Sequence, residues 1–226
     1  MTDYSRKLFA SILILLSGLF FVVAVKKAIA EDIDELVTSL RSDDLKMQLS
    51  AVEELGRLRE REAIDALLNF VFTKEENWRV KIRGIGVLGD IADRRVSDRL
   101  VTLLNDPFLN EDCPAMKWHT AMALGKDFNK GSRAVSALIE ALDYGNLLIK
   151  EAAIQSLGKI GDPRAVPFLI PALGDKNFAI RFSAIKALEN IGDKQAVTFL
   201  RQITDNESDK QIKDAAVSAL NNFKRN

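Results

Sequence analysis

The chain of 226 residues is 47% hydrophobic and 28% charged, which is enough apolar material for a sizeable core, with too little Pro and Gly for a disordered tract. Its 32 basic and 32 acidic residues cancel, which argues against the strongly basic face that nucleic-acid binding requires. One cysteine, Cys113, and one histidine, His119, exclude an intrachain disulfide, a Cys-based zinc site and a multi-His metal centre, so no catalytic, cofactor-binding or metal-binding residue is expected.

At the N-terminus, Arg6 and Lys7 precede an apolar run from Leu8 to Val25, followed by Lys26-Lys27, Ala28-Ile29-Ala30 and an acidic stretch from Glu31. A basic start, an apolar centre and an Ala-x-Ala site describe an export signal cleaved after Ala30. The run of 18 residues also reaches the length of a membrane-spanning helix, so an uncleaved inner-membrane anchor over residues 8–25 is the other reading. Both place residues 31–226, a single domain, in the periplasm or cell envelope of a bacterium. Removing residues 1–30 takes away four basic residues and one acid, leaving 28 basic against 31 acidic, a balance of −3 that disfavours a polyanionic partner.

From there on the chain repeats. Leu55, Leu88, Leu124, Leu157, Leu188 and Leu220 follow one another at intervals of 33, 36, 33, 31 and 32 residues. Three residues before each stand Val52, Ile85, Ala121, Ile154, Ile185 and Val217; four before, a small residue; eight before, Met47, Val80, Met116, Ile149, Ile180 and Ile212. Those offsets define one face of an α-helix. A second helix follows each marker, with core leucines at Leu67, Leu100, Leu138, Leu169 and Leu200. In the turn between them, Gly161 ends the first helix in a left-handed cap, Asp162 caps the second, and Pro163 takes its first position, where no N–H is needed. Gly192-Asp193 repeats the first two steps. Ile33, Leu36, Val37 and Leu40 match Val166, Leu169, Ile170 and Leu173, so the repeating part opens on a second-type helix and closes on a first-type helix from Ile212 to about Phe223. This makes about twelve helices in about six pairs, without a strand signal. One pair cannot bury its apolar stripe alone; stacked pairs share a continuous core, so the expected fold is an all-α solenoid. Trp78 opens a first-type helix where Leu45, Leu147 and Phe178 stand in other repeats, and is assigned to the core. Pro167 and Pro171 each remove a helical N–H and are expected to bend their helix.

The stretches IKEAAIQSLGKIGDPRAVPFLIPALGD and IRFSAIKALENIGDKQAVTFL, residues 149–175 and 180–200, resemble HEAT repeats, and more closely the short type first named for phycobilisome lyases. The resemblance covers nearly all of residues 31–226 and implies a right-handed α-solenoid of about six stacked HEAT-like pairs. Members serve as bilin lyase subunits, hydroxylases and binding scaffolds, so the resemblance says little about function. The di-iron hydroxylases need several His-Glu pairs, whereas His119 is followed by Thr120. An export signal argues against a cytoplasmic bilin lyase subunit.

Two surfaces stand out. Seven residues before each marker, Gln48, Lys81, Lys117, Lys150, Arg181 and Lys213 form a mostly basic ladder, expected to hold repeats together by pairing with turn carboxylates such as Asp93, Asp162 and Asp193. Second-type helices, which line the concave side in HEAT-like solenoids, carry Arg95, Arg133 and Arg164 in one register, with Arg99, Phe168 and Phe199 in another. Arginine and aromatic side chains anchor interfaces, so these six are the expected binding surface; the competing reading pairs the arginines with N-cap aspartates. The third repeat has longer loops around Cys113, Trp118 and His119, but no third group that would orient a Cys–His pair. The expected function is a non-enzymatic scaffold for a protein or peptide partner, with no cofactor, no nucleic acid, and membrane contact only through an uncleaved N-terminus. The alternative is an accessory subunit, non-catalytic or lyase-like, that assists an enzyme or a cofactor-attachment partner.

Overall fold

Short polar side chains mark where the helices begin. Asp44 accepts from the Lys46 N–H, Asn77 from Arg79, Asp93 from Arg95, Asn146 from Leu148, Asn177 from Ala179 and Asp209 from Gln211, each satisfying an amide that has no partner inside its helix. A computed structural model describes residues 25, 27–73, 77–91, 93–107, 114–126 and 133–223. Among them are twelve helices and no strand. The first four are α1 (27–40), α2 (Leu45–Leu58), α3 (Arg61–Phe72) and α4 (Trp78–Gly89). Then come α5 (Arg94–Leu104), α6 (Pro114–Leu124), α7 (Arg133–Glu140) and α8 (Leu147–Ile160). Last are α9 (Val166–Leu169), α10 (Phe178–Ile191), α11 (Val197–Asn206) and α12 (Lys210–Phe223). Even-numbered helices are the first type of the repeat, odd-numbered ones the second. The proline effect is visible in α9, a single α-helical turn between 3-10 segments at Pro163–Ala165 and Ile170–Gly174.

The first-type helices end in left-handed caps where the turn chemistry demands them. Gly161 has φ 71° and Gly192 has φ 72°. In the first repeat the same place is taken by Arg59, with φ 53°, where a side chain crowds its own backbone. Arg59→Gly is therefore expected to stabilise the protein by about 1 kcal/mol, read as a thermal midpoint raised by roughly 2–4 °C.

The chain divides into two compact units, Met1–Leu67 and Leu68–Asn226. The first holds α1, α2 and the start of α3, with Ile33, Leu40, Ala51, Val52 and Leu55 buried. The second holds the remaining helices, stacked as a right-handed α-solenoid. In it α5 packs on α6, α7 on α8, α11 on α12, and the 3-10 turn after α9 on α10, so each second-type helix is clasped by the first-type helix that follows it. The first-type helices α4, α6, α8, α10 and α12 form a continuous row. Leu88, Leu124, Leu157 and Leu188 line its core and are fully buried. Neighbours in the row come very close. A Cβ on Gly89 would lie 2.8 Å from Ala123 Cβ, on Gly125 2.5 Å from Ser156 Oγ, and on Gly158 2.6 Å from Ala187 Cα.

Three expectations about the core need correction. Trp78 is 51% exposed, and Leu45, Leu147 and Phe178 also reach solvent. These residues share the buried azimuth of the helical wheel but open their helices, beyond the layer the core covers; Trp78 instead carries the Arg79 guanidinium 5.3 Å from its ring. Met47 is 50% and Val217 43% exposed, whereas Val80, Met116, Ile149, Ile180 and Ile212 on one side, and Ile85, Ile154 and Ile185 on the other, are buried. Within the second unit, between α4 and α12, the position eight before the marker faces the preceding first-type helix and the position three before it faces the following one. Among the described residues α2 is the first of its type and α12 the last.

The basic ladder is structural, and the contacts seen along it run to carbonyl groups and to Asp175 and Glu207, while Asp93, Asp162 and Asp193 cap their own helices. The ladder residues sit in the opening turns of first-type helices, beside the carbonyl ends of second-type helices, where a cation meets the negative helix pole and unpaired C=O groups. Gln48 donates to the Leu40 carbonyl at 3.0 Å, Lys81 to that of Thr73, and Arg181 to that of Asp175 at 2.9 Å. Lys150 reaches the Asp175 carboxylate at 2.7 Å, and Arg181 lies 3.6 Å from Glu207. The Lys150 ammonium and the Asn177 N–H hold the Asp175 carboxyl below the usual carboxylate range.

No helix among the described residues is long and apolar enough to cross a membrane. This runs against the expected inner-membrane anchoring and leaves the periplasmic or envelope placement without support. The apolar run over residues 8–25, apart from Val25, lies outside the described residues. By residue 27 the chain is an amphipathic helix: Ile33 and Leu40 are buried, and Lys27 stands 3.8 Å from Glu31 on the wet side. Ala30, the expected cleavage position, lies inside α1.

Candidate functional site

The six predicted binding residues all fall on second-type helices or their opening turns, but they differ in how free they are to meet a partner. Arg95 bends back onto the aspartate that caps its own helix: its Nη2 lies 2.7 Å from Asp93 Oδ2, and its Nε donates to the same carboxylate. Arg164 repeats the arrangement on Asp162, with Nη2 at 2.8 Å and Nε at 3.1 Å. That hydrogen-bonded carboxylate raises the Arg164 pKa above its ordinary value. An Asp-x-Arg sequence at a helix start is thus a closed fork, in which the aspartate caps the helix and the arginine neutralises the aspartate. In the next repeat Asp193-Lys194-Gln195 keeps the cap and drops the fork.

The other four are more open. Arg133 begins α7 and is exposed. Arg99 lies over the Phe72 ring at 4.1 Å, a cation–π contact that leaves the guanidinium edge in water. Phe168 is 53% exposed, and Phe199, 31 residues further on in the same register of the next repeat, is 38% exposed. Burying either would remove a large apolar surface from water.

Phe168 also forms one wall of a cavity of about 440 Å³ between α7 and α9. Ile139, Leu142, Pro167 and Pro171 supply its apolar lining, and Glu140, Asp143 and Lys150 its charges. The two prolines that break α9 thus turn apolar rings toward the same hollow. The sequence reading missed the acids: Glu140 and Asp143 end the second-type helix rather than begin it, and only the fold brings them beside Phe168.

A second surface, on the first-type helices, was not anticipated. Pro114, Ala115, Trp118 and His119 of α6 and Leu148, Glu151 and Gln155 of α8 line a cavity of about 540 Å³. Trp118 and His119 meet edge to face at 4.6 Å. Burial lowers the His119 pKa below its ordinary value, so the imidazole is neutral at pH 7. Cys113, its conceivable catalytic partner, lies outside the described residues. Among the described residues no cluster of His, Cys, Asp or Glu could hold a metal ion.

The profile of the family described as HEAT repeats matches residues 33–108, 107–175 and 146–221. No curated protein matches the chain. Among solved structures it is similar to the archaeal HEAT-like repeats protein from Thermococcus onnurineus NA1, at 17% identity and a TM-score of 0.54, over 90% of this chain and 92% of that one. The complex of CpcE and CpcF of phycocyanin lyase from Nostoc sp. PCC7120 matches at 22% identity and a TM-score of 0.55, over 84% of this chain and 76% of that one. A designed armadillo repeat protein in complex with the peptide (KR)4 matches at 16% identity and a TM-score of 0.58, over 84% and 98%. These likenesses establish the fold, an all-α solenoid. With the repeat period, the capped turns and the family match over residues 33–221 in agreement, the chain belongs to the HEAT repeat family.

Proposed function

We propose that this chain is a non-enzymatic, protein-binding accessory subunit that holds a partner protein, an enzyme or a cofactor-attachment protein, against its second-type helices. The observation that carries the reading is the pair Phe168 and Phe199, large aromatic side chains left exposed in one register of two consecutive repeats. Exposed Phe168 beside an apolar hollow that carries Glu140, Asp143 and Lys150, with exposed Arg133 opening the same α7, has the composition of an interface core with a charged rim. The similarity to a lyase structure in which two chains form a complex supports an assembling subunit over a free-standing scaffold.

The test compares the wild-type protein with an Arg133→Glu/Phe168→Ser/Phe199→Ser variant as bait in its native cell extract, followed by titration of the purified partner. All three side chains are exposed, so the thermal midpoint should not move. Loss of the partner by the variant, with affinity down by roughly 2 kcal/mol or more, supports the reading. Equal affinity of both proteins sinks the surface assignment, and a reaction catalysed by the isolated chain sinks the non-enzymatic role.

A further inference from the structure

The groove on the first-type helices has a chemistry of its own. Its cavity between α6 and α8 shares Glu151 and Gln155 with a second cavity of about 420 Å³ between α8 and α10, so the two are lobes of one groove crossing α8. Apolar surface is exposed along it: Leu148 is 62% exposed, and Phe182 stacks on Phe178 with ring centroids 6.0 Å apart. Where the lobes meet stands a single carboxylate. Glu151 Oε1 accepts from Gln155 Nε2 at 3.1 Å and from Ser183 Oγ at 3.2 Å. Ser183 is itself buried, so the carboxylate is held from below by a fixed donor. Both donors are neutral, and no lysine or arginine among the described residues forms an ion pair with Glu151. The groove's lysines do not compensate it: Lys186 is paired with Glu189 at 2.8 Å, and Lys159 lies two helical turns along α8 from Glu151. The facing imidazole, His119, is neutral. A half-buried, oriented and unneutralised carboxylate between an indole and a phenyl ring is complementary to a cation that carries apolar surface with it.

We propose that this groove docks a partner segment in which an arginine or lysine stands beside a large apolar side chain. The cation sits on Glu151 and the apolar neighbour enters the Trp118–Leu148 lobe. The site lies on the opposite type of helix from the Phe168–Phe199 surface and does not depend on it.

The probe is a fluorescein-labelled Gly-Leu-Arg-Phe-Gly peptide, titrated into the full chain at low salt and followed by anisotropy. The control replaces arginine with citrulline, which keeps the shape and removes the charge. We expect the arginine peptide to bind about tenfold tighter than the citrulline peptide, and Glu151→Gln to erase that difference. The substitution keeps the acceptor oxygen for Ser183 and Gln155, so the thermal midpoint should be unchanged. The Phe168→Ser variant should bind the peptide as wild type does, which separates this groove from the other surface. Equal binding of the two peptides, a preference that survives in Glu151→Gln, or no binding of either peptide up to about 1 mM would overturn the proposal.

Discussion

Gly158→Val is expected to lower the thermal midpoint by roughly 6–12 °C, while Gly86→Ala raises it by a few degrees. Both glycines lie within first-type helices, yet a side chain meets opposite surroundings at the two. On Gly158 a Cβ would fall 2.6 Å from Ala187 Cα and 2.8 Å from Ala187 Cβ, in the helix next along the row. The nearer atom is backbone, so no rotamer change relieves the clash, and α8 and α10 must separate. Overpacking of this kind costs about 1–3 kcal/mol for a small intrusion and reaches the upper end for a branched side chain. Around Gly86 a Cβ would meet nothing within 4 Å, so alanine there gains helix propensity of about 0.5–1 kcal/mol at no steric cost. Gly158→Ala should fall between the two. Thermal melts followed by circular dichroism at 222 nm, where helices absorb strongly, read all three variants; a Gly158→Val midpoint within about a degree of wild type would refute the close-approach argument.

The same contact shows what a repeat sequence discloses and what it conceals. The marker leucines and the small residues before them were readable because a helix buries one face at a fixed period. The Gly161 and Asp162 turn was readable because only glycine accepts its φ freely and only a short polar side chain reaches the next helix's amides. Axial position was not readable. Trp78 and Leu147 share the azimuth of core residues but stand at the helix mouth, and a wheel has no axis. Met47 and Val217 look like their buried counterparts because their identity records the repeat, while they lie on the first and the last first-type helix among the described residues. The ladder is legible as inter-repeat joinery, but the carbonyl ends it meets, Leu40, Thr73 and Asp175, are not, because backbone carbonyls carry no sequence signal. Of the expected binding surface, the sequence showed Phe168 and Phe199 but not that Arg95 and Arg164 would close on their own caps. The groove at Glu151 was illegible for a simpler reason. Its walls, Trp118, Leu148, Ser183 and Phe182, come from three helices whose polar faces look individually like solvated surface.

Lys117→Met is expected to stabilise the protein by about 1–4 kcal/mol at neutral pH, and the gain should shrink as the pH is raised toward 10.5, the ordinary lysine value. Lys117 continues the ladder into α6 but has lost the partner its neighbours keep. Two residues before the caps of α10 and α12 stand Asp175 and Glu207, which receive Lys150 and Arg181; two before the cap of α8 stands Tyr144. Lys117 is fully buried, its Nζ lies 4.7 Å from the Tyr144 ring centroid, and it makes no hydrogen bond among the described residues. Desolvation therefore lowers its pKa, partly countered by the charge on Asp106. Tyr144 answers in kind: burial, then the charge on Glu140, raises its phenol above the usual value, so it stays a neutral ring. A ring face compensates an ammonium less well than a carboxylate does, and methionine fills a similar space without a charge to desolvate. The sign of the pH effect follows from linkage. Between the lowered folded-state pKa and 10.5 the unfolded chain binds the proton that the folded chain has released, so wild-type stability rises with pH through that window. The Met variant lacks this titration, so the difference between the two proteins isolates Lys117 from every other group. Denaturant melts of both from neutral pH to pH 10 measure it, with Lys117→Ala as a third arm. Alanine removes the charge but leaves a cavity, so it should forfeit most of the gain. A Met-minus-wild-type difference that stays constant across that range, or a Met variant less stable than wild type at neutral pH, would mean that the ammonium is better satisfied than its surroundings indicate.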